Sequence, residues 1–384
     1  MAVSLVIGAD DARAERLPPA GVGYVPVDDD ERGLWMKLEA IEHDMKTSAF
    51  LIRDVALNAY VRGLLCRIAG QAPCASLRLY IVRTPEFNAS MAPNGMVTVN
   101  TGMLLRARNE AQLAAVLGHE YAHFHHRHTL RTFRDGKSKA GTLAWLSVIP
   151  AVDYATALAI RLLQLRTVGA EFSFSRAMET EADAASIPLM AAAGYDPAIA
   201  PSIWRGLESE AEATAAARRK RVPRRPNLFY ATHPPHEDRI AALHALAARH
   251  AGGTAGGDGA AGYRVAMEPW WPAWLDDEIK QNDFGGTDFL LRGLAIDGWT
   301  PALLYARGEL YRGRGRPADL TRAADFYRQA IAGGGPADAW RGLGLASLRA
   351  GEAAEGRRAL AEYLARRPEA GDREMIAMLA EEGR

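Results

Sequence analysis

A histidine-rich stretch at residues 113–130, LAAVLGHEYAHFHHRHTL, contains five of the ten histidines of the chain. Its apolar residues have helical spacing, and Asn109 and Glu110 stand where a helix N-cap and a first-turn acid are expected. Residues four positions apart on a helix lie about 40° apart around its axis, so His119 and His123 project from one face. The stretch therefore predicts a helix that presents two imidazoles to a shared ligand.

The pattern His-Glu-x-x-His within this helix predicts a catalytic metal site. A chain of this composition contains the pattern by chance about 0.02 times, which argues against a histidine-rich surface of no consequence. Zinc suits two imidazoles, because it is redox-inert, binds tetrahedrally and leaves one place for water. Glu120 lies about 100° around the helix from His119, close enough to take a proton from that water. We predict one Zn²⁺ per chain, with His119 and His123 as ligands and Glu120 as the catalytic base.

Three further histidines, His125, His126 and His128, follow the motif, and we predict that they lie on the surface. His128 does not occupy the offset of the third ligand in the pattern HExxHxxGxxH. The third ligand must therefore come from another part of the chain.

A second predicted helix, at residues 172–193, contains the sequence SRAMETEADAAS and offers that ligand. Glu179 and Asp183 are four residues apart and share a face, whereas Glu181 points about 200° away from Glu179, toward solvent. Neighbouring alanines would allow a close approach to the histidine helix. We predict Glu179 as the third ligand, with Asp183 accepting a hydrogen bond from a ligand imidazole and so setting its tautomer. An ordinary charged helix face is the alternative.

The two motifs together resemble peptidase family M48, which includes the CaaX prenyl proteases and the BepA-type periplasmic proteases. The resemblance covers about residues 34–249, and in the family the first glutamate of SRxxExEAD binds zinc, which here is Glu179. It implies a mostly helical α+β fold of zincin type with a small sheet. The helical C-terminus makes the BepA-type branch the most similar.

The sequence THPPHEDRI, at residues 232–240, is similar to the downstream His-Pro loop of that family. The resemblance implies that His233 and Arg239 lie near the metal. His233 would either support the oxyanion of the tetrahedral intermediate or close over the zinc as an extra ligand at rest. A histidine in a proline-rich connector is the alternative.

Two segments with strand patterns, LRLYIV (77–82) and MVTVN (96–100), flank the turn-rich sequence NASMAPNG, whose Asn94-Gly95 predicts a hairpin turn. We predict that the second strand is a sheet edge that binds an extended substrate by main-chain pairing. This prediction concerns Met96, Val97, Thr98, Val99 and Asn100. Alternatively, a hairpin formed by residues 140–165 covers that strand.

Composition divides the chain into an N-terminal tail (1–33), a metallopeptidase domain (34–250), a glycine-rich linker with a connecting segment (251–290) and helical repeats (291–384). Residues 306–334 look like a Sel1-type repeat and residues 340–368 like a tetratricopeptide repeat. Trp270, Trp271, Trp274 and Trp299 are most simply packing residues. We expect the repeats to dock substrate or a protein partner.

The formal net charge is zero, which gives no electrostatic case for nucleic-acid binding. Cys66 and Cys74 are close enough in sequence for one disulfide, although spacing alone does not decide whether it forms. Residues 140–165 are apolar but interrupted by Pro150, Asp153 and Arg161, so we expect a buried or membrane-surface hairpin rather than a span. The first residues lack the pattern of an export signal, whereas the resemblance implies a periplasmic protein of the bacterial envelope, peripherally bound to membrane.

The combined interpretation is a zinc-dependent endopeptidase that cleaves extended or misfolded envelope proteins in protein quality control. Two alternatives remain at this stage. One is a chaperone or assembly scaffold with a silent or auto-inhibited site, and the other is a peptide-binding repeat protein with a vestigial catalytic domain.

Overall fold

The computed structural model of the chain describes residues 24–140, 174–222, 229, 233, 239–250 and 256–381. The chain divides into two compact units, Met1–Arg205 with Arg224–Glu268 and Gly206–Pro223 with Pro269–Arg384. The architecture is mostly helical with one small sheet, which confirms the predicted fold class.

The first unit places helices around the sheet. Its helices begin at residues suited to capping: the side chains of Asp28, Asp54, Asn109 and Ser175 each accept a hydrogen bond from a backbone N–H in the first turn. In chain order the elements are α1 (Asp29–Thr47), β1 (Leu51–Ile52), α2 (Val55–Ala69), α3 (Gln71–Cys74), β2 (Arg78–Val82), β3 (Ala89–Met91), β4 (Met96–Asn100), α4 (Thr101–Arg106), α5 (Glu110–His125), α6 (His128–Ala140), α7 (Arg176–Ala192), a 3₁₀ turn (Pro197–Ile199), α8 (Ala200–Arg218), α9 (Arg239–His250) and α10 (Ala260–Met267). The residues of α8 from Gly206 onward belong to the second unit.

The sheet has the strand order β1-β2-β4-β3. β4 pairs in parallel with β2 on one side and antiparallel with β3 on the other. The prediction that Met96–Asn100 is a sheet edge is therefore wrong. The segment NASMAPNG looked like a turn throughout, but its residues Ala89–Met91 form the outermost strand on this side of the sheet.

The hairpin that joins β3 to β4 turns at the predicted Asn94-Gly95 pair. Gly95 has φ +85°, which favours glycine, and its N–H donates to the carbonyl of Ala92. The Asn94 side chain accepts a hydrogen bond from the Met96 N–H at 3.1 Å. The turn was predictable because it depends on local backbone chemistry.

The predicted N-terminal tail ends earlier than expected. α1 begins at Asp29, and Glu31 is fully buried. Its carboxylate accepts hydrogen bonds from the Tyr24 hydroxyl and the Val27 N–H and forms an ion pair with Arg127. These contacts tie residues 24–31 to the turn between α5 and α6, so this part of the chain belongs to the first unit. The composition of the segment did not indicate these contacts, because its one buried residue, Glu31, is polar.

The second unit consists of helices that pack in sequence. Large side chains pack against glycines in this unit. The buried Tyr327 ring lies against Gly308 and Gly342, and a Cβ at these positions would stand 2.6 Å and 2.4 Å from the ring, respectively. After a 3₁₀ turn (Glu268–Trp270) the helices are α11 (Trp271–Ile279), α12 (Phe284–Leu294), α13 (Pro301–Arg314), α14 (Pro317–Ala332), α15 (Asp338–Ala350), α16 (Ala353–Arg366) and α17 (Arg373–Glu381). The helix pairs α13/α14 and α15/α16 overlap residues 306–334 and 340–368, for which the repeats stay a prediction.

Much of the predicted linker and connecting segment (251–290) is helical. α10, α11 and the start of α12 lie within it, and Tyr263, Met267 and Trp274 are buried. The glycine content of residues 252–262 concealed the beginning of α10. Trp271 and Trp274 are packing residues, as expected.

Two remaining predictions concern the disulfide and the membrane. Cys66 and Cys74 form a disulfide that joins the end of α2 to α3, with 5.1 Å between their Cα atoms. Among the helices in the described residues, none combines the length and apolar character needed to cross a bilayer. The predicted hairpin at 140–165 lies, after its first residue, outside the described part of the chain.

Gly102 at the start of α4 should be intolerant of a side chain. A Cβ there would stand 2.1 Å from the carbonyl oxygen of Pro85, and neither backbone can retreat easily. We expect Gly102→Ala to lower the free energy of unfolding by about 1–3 kcal/mol, measured by urea denaturation. Gly63→Ala in α2 is the control, because its Cβ meets nothing within 4 Å and should stabilise the protein by up to about 1 kcal/mol. Equal stabilities of the two variants would contradict the packing described.

Candidate metal centre

The histidine helix α5 is buried along almost its whole length, from Ala111 to Phe124. Its predicted N-cap is confirmed, since the Asn109 side chain accepts a hydrogen bond from the Gln112 N–H at 2.8 Å. Helix α7 lies directly against it: a Cβ at Gly118 would be 3.5 Å from the Cβ of Ser186. Small residues at this contact bring groups on α7 to within bonding distance of the α5 histidines.

The structure brings His119, His123 and Glu179 together at one buried point. The Nε2 atoms of the two histidines are 3.0 Å apart. The Glu179 Oε2 lies 3.4 Å from the His119 Nε2, and its Oε1 lies 3.5 Å from the His123 Nε2. Ligand atoms around a tetrahedral zinc are separated by about 3.3 Å, because each lies about 2 Å from the ion. These spacings fit one metal ion between the three side chains.

Buried oxygen atoms in the same place support this fit. Within the described residues, Glu120 Oε1 and Glu179 Oε2 are buried and accept no hydrogen bond. A buried carboxylate oxygen that accepts no hydrogen bond is costly, and a divalent cation would compensate it. The donor set of imidazole nitrogen and carboxylate oxygen is the one expected for a catalytic zinc.

His119 is held from behind by Asp183 and Arg239. Its Nδ1 lies 2.9 Å from the Asp183 Oδ1, and Arg239 donates to the same oxygen at 2.6 Å. A proton on Nδ1, donated to this carboxylate, leaves the Nε2 lone pair directed into the site. The Arg239 guanidinium also stacks on the Trp204 ring, 4.0 Å from its centroid. This is the arrangement predicted for Asp183, whose role remains a proposal.

His233 lies inside the site rather than beside it. Its Nδ1 is 3.3 Å from the His119 Nε2 and 3.1 Å from the Glu179 Oε1. Its Nε2 is 3.5 Å from the Glu120 Oε1, and the Phe229 ring stacks on it at 4.3 Å. Ligand atoms of His119, His123, Glu179 and His233 all fall within 4.8 Å of one another. His233 is thus placed as a fourth donor.

The prediction that His128 lies on the surface is wrong. Its side chain is fully buried, and its Nδ1 faces the His123 Nδ1 at 2.7 Å. The reason is the turn between α5 and α6, where Arg127 adopts φ 55° and redirects the chain so that His128 points back toward α5. His125 is exposed as predicted, and His126 is half-buried. Two sequence signals pointed to His128: the unusual concentration of histidines, and the resemblance of the Arg127-His128 pair to the active-site helix of family M48.

Glu181 is only partly in solvent. Its side chain is 41% exposed, and its carboxylate lies 3.0 Å from the His128 Nε2 and 3.3 Å from the guanidinium of Arg131. Glu181 does point away from Glu179, as helix geometry predicts, but α6 lies on that side. The face that seemed to be open to solvent is a contact between helices.

Burial and charge shift the acid–base properties of the site in opposite directions. Burial raises the pKa of Glu120 above its usual value. Burial also opposes ionisation of Glu179, but the neighbouring His233 and His119 outweigh it and hold the pKa of Glu179 far below the usual range. Burial alone would lower the pKa of His119, yet Asp183 and Glu179 raise it to about 9. The two glutamates are therefore suited to different tasks: Glu179 to staying ionised and Glu120 to exchanging a proton.

Comparisons with known proteins agree with this geometry. Residues 52–247 match the sequence profile described as "Peptidase family M48". The chain is 28% identical over 197 residues to a putative beta-barrel assembly-enhancing protease of Vibrio cholerae, covering 50% of this chain and 39% of that protein. It is 27% identical over 205 residues to the beta-barrel assembly-enhancing protease of Escherichia coli (51% and 40%). It is 33% identical over 132 residues to the mitochondrial metalloendopeptidase OMA1 of Arabidopsis thaliana (34% and 26%). The chain thus spans less than half the length of these relatives.

Removal of one ligand should reduce metal binding without disturbing the fold of α7. We expect Glu179→Ala to lower the bound metal, measured by atomic absorption after dialysis, well below one ion per chain, because the imidazoles of His119, His123 and His233 would then lack their only anionic co-ligand. Thr180→Ala is the matched control, since Thr180 is exposed and its hydroxyl bonds only the carbonyl of Arg176 among the described residues. A full complement of metal in the Glu179 variant would remove that residue from the ligand set.

Proposed function

The chain belongs to peptidase family M48, and on that premise we propose that it is a zinc-dependent endopeptidase acting on extended or misfolded polypeptides. The observation that carries the proposal is the buried set of His119, His123 and Glu179, whose donor atoms are spaced for one tetrahedral ion. Glu120 lies beside this set on the same helix as the two histidines.

Each residue of the site has a separate role in the proposed hydrolysis. A bound zinc ion supplies a Lewis acid that polarises a carbonyl group and lowers the pKa of a water molecule. Glu120 takes the proton from the attacking water, and its raised pKa brings it nearer the range in which a carboxyl group both accepts and returns a proton. The same carboxyl group then protonates the leaving amine. Asp183 accepts the His119 Nδ1 proton and so keeps the ring in its tautomer and orientation, while Arg239 donates to the same Asp183 oxygen and holds that carboxylate in place.

His233 supports a closed resting state. Its Nδ1 belongs to the cluster of donor atoms, where a fourth donor would take the place that water needs. We propose that His233 completes the ligand set at rest and moves aside when substrate enters. Support of the oxyanion by the same ring is the alternative role, because its Nε2 faces Glu120. The closed arrangement also favours the second candidate function, a chaperone or assembly scaffold whose site is auto-inhibited.

We propose that substrate binds along the outer edge of β3, with which no other strand pairs among the described residues. The N–H of Asn100 donates to the carbonyl of Asn88, and the N–H of Ala92 donates to that of Met96. In an antiparallel pair only every second residue forms hydrogen bonds with the partner strand. Ser90 and the flanking Asn88 and Ala92 therefore pair with β4, while Ala89 and Met91 direct their N–H and C=O groups to the other side. β3 also packs against α5, the helix that contains the two histidines. An extended peptide could therefore add to β3 by main-chain hydrogen bonds.

The cellular setting is proposed from the relatives and from one structural feature. Two relatives have names that specify beta-barrel assembly, which motivates envelope proteins as substrates and a periplasmic location with peripheral membrane contact. The Cys66–Cys74 disulfide suits an oxidising compartment. The helix pairs of the second unit would dock substrate or a protein partner, as stacked helical pairs commonly do.

The test of the catalytic assignment is Glu120→Gln. The amide keeps the shape of the side chain but accepts no proton, so we expect zinc content to stay near one ion per chain while casein cleavage falls by at least about 100-fold. Cleavage is measured with and without a chelator. Wild-type protein that binds zinc but cleaves nothing would favour the scaffold function, and an unchanged rate in the variant would refute the role of Glu120.

The edge-strand proposal is tested at Met91. Met91→Pro removes the N–H that faces the outer edge and leaves the pairing with β4 intact. Loss of one main-chain hydrogen bond to substrate should lower kcat/KM for an extended peptide about fivefold relative to Met91→Ala, which shortens the buried side chain but keeps the N–H. Equal kcat/KM values for the two variants would place substrate elsewhere.

A further inference from the structure

We propose that His128 and Glu181 form a hydrogen-bonded chain of side chains that orients the metal ligand His123. This chain begins at the partly exposed carboxylate of Glu181. The chain runs from the His123 Nδ1 to the His128 Nδ1 at 2.7 Å, and from the His128 Nε2 to the Glu181 Oε2 at 3.0 Å. The inference rests on the proposed metal site, because it concerns how one of its ligands is held.

Hydrogen-bond valence determines the direction of each bond in this chain. Two N–H groups cannot face each other at 2.7 Å, so one of the two Nδ1 atoms carries the proton and the other accepts it. His123 must direct a lone pair from Nε2 toward the metal, and its proton is therefore on Nδ1. His128 then accepts at Nδ1 and carries its own proton on Nε2, where the Glu181 carboxylate receives it. Every group in the chain is satisfied by this one assignment.

The surroundings hold the chain in place. The His128 side chain is fully buried, and the Phe174 ring stacks on His123 with 3.9 Å between centroids. Glu181 is fixed at its outer end by Arg131 at 3.3 Å and by the His126 Nδ1 at 3.3 Å. These contacts fix the positions of the side chains in the cluster, which a solvent-exposed ion pair would not do.

The two histidine ligands therefore have different partners behind them. His119 donates directly to a buried carboxylate, Asp183, whereas His123 reaches its carboxylate through a neutral imidazole. Groups of this kind orient a ligand ring and raise its basicity, and their loss typically lowers metal affinity by about 10- to 100-fold. We infer that His128 and Glu181 are positioning residues that make no contact with substrate.

Substitutions at His128 separate orientation from folding. Leu removes both bonds of the ring, whereas Asn keeps an oxygen near the position of Nδ1 and can still accept from His123. His125→Leu is the matched control, because His125 is an exposed histidine at the end of α5, three residues from His128, that takes no part in the hydrogen-bonded chain. Zinc dissociation constants are measured by competition with a chelator, and the visible spectrum of the cobalt-substituted protein reports ligand geometry.

We expect His128→Leu to weaken zinc binding by about 10- to 100-fold and to alter the cobalt spectrum, with His128→Asn restoring most of both and His125→Leu changing neither. Zinc affinity and a cobalt spectrum equal to wild type in the Leu variant would overturn the inference. If that variant does not fold, Glu181→Ala decides, because it removes the acceptor of the His128 N–H: it should bind zinc more weakly than wild type, and an unchanged dissociation constant overturns the inference. Wild-type protein that binds no zinc would instead refute the proposed function itself.

Discussion

The contact between α5 and α7 is the interaction on which the site depends. A carboxylate on one helix and two imidazoles on the other must approach to about 3.5 Å, which happens only where both helices present small residues. Gly118 and Ser186 occupy this contact, and both are buried. A larger side chain at either position would separate the helices, and Glu179 would lose contact with the histidines even though each helix stayed intact.

The electrostatics of the site follow from its burial. Glu120, Glu179 and Asp183 are three carboxyl groups in a region that water scarcely reaches, with Arg239 as a buried cation among them. Burial raises the pKa of Glu120, while nearby histidines keep Glu179 ionised, so two chemically identical side chains are suited to different roles. A divalent cation would complete the compensation of charge, which is a physical reason for metal binding that is independent of any motif.

The support around the ligands extends well beyond the catalytic helix. Asp183 and Arg239 fix one ring, and the chain through His128 to Glu181 fixes the other. The turn that positions His128 is itself held by the ion pair between Arg127 and the buried Glu31 near the N-terminal end of the described chain. The precision of a metal site therefore depends on residues that are distant in sequence from its ligands.

Sequence alone determined the relationships that a single helix or turn imposes. His119, Glu120 and His123 take their mutual positions from helix geometry, Glu179 and Asp183 do so likewise, and Asn94-Gly95 turns the chain because of its local backbone preference. Only the tertiary structure decided that His128 is buried, that Glu181 contacts another helix as well as solvent, and that Met96–Asn100 is an inner strand. Those outcomes depend on which elements pack together. Periodicity along one element specifies the direction of each side chain, but not the neighbour that it meets.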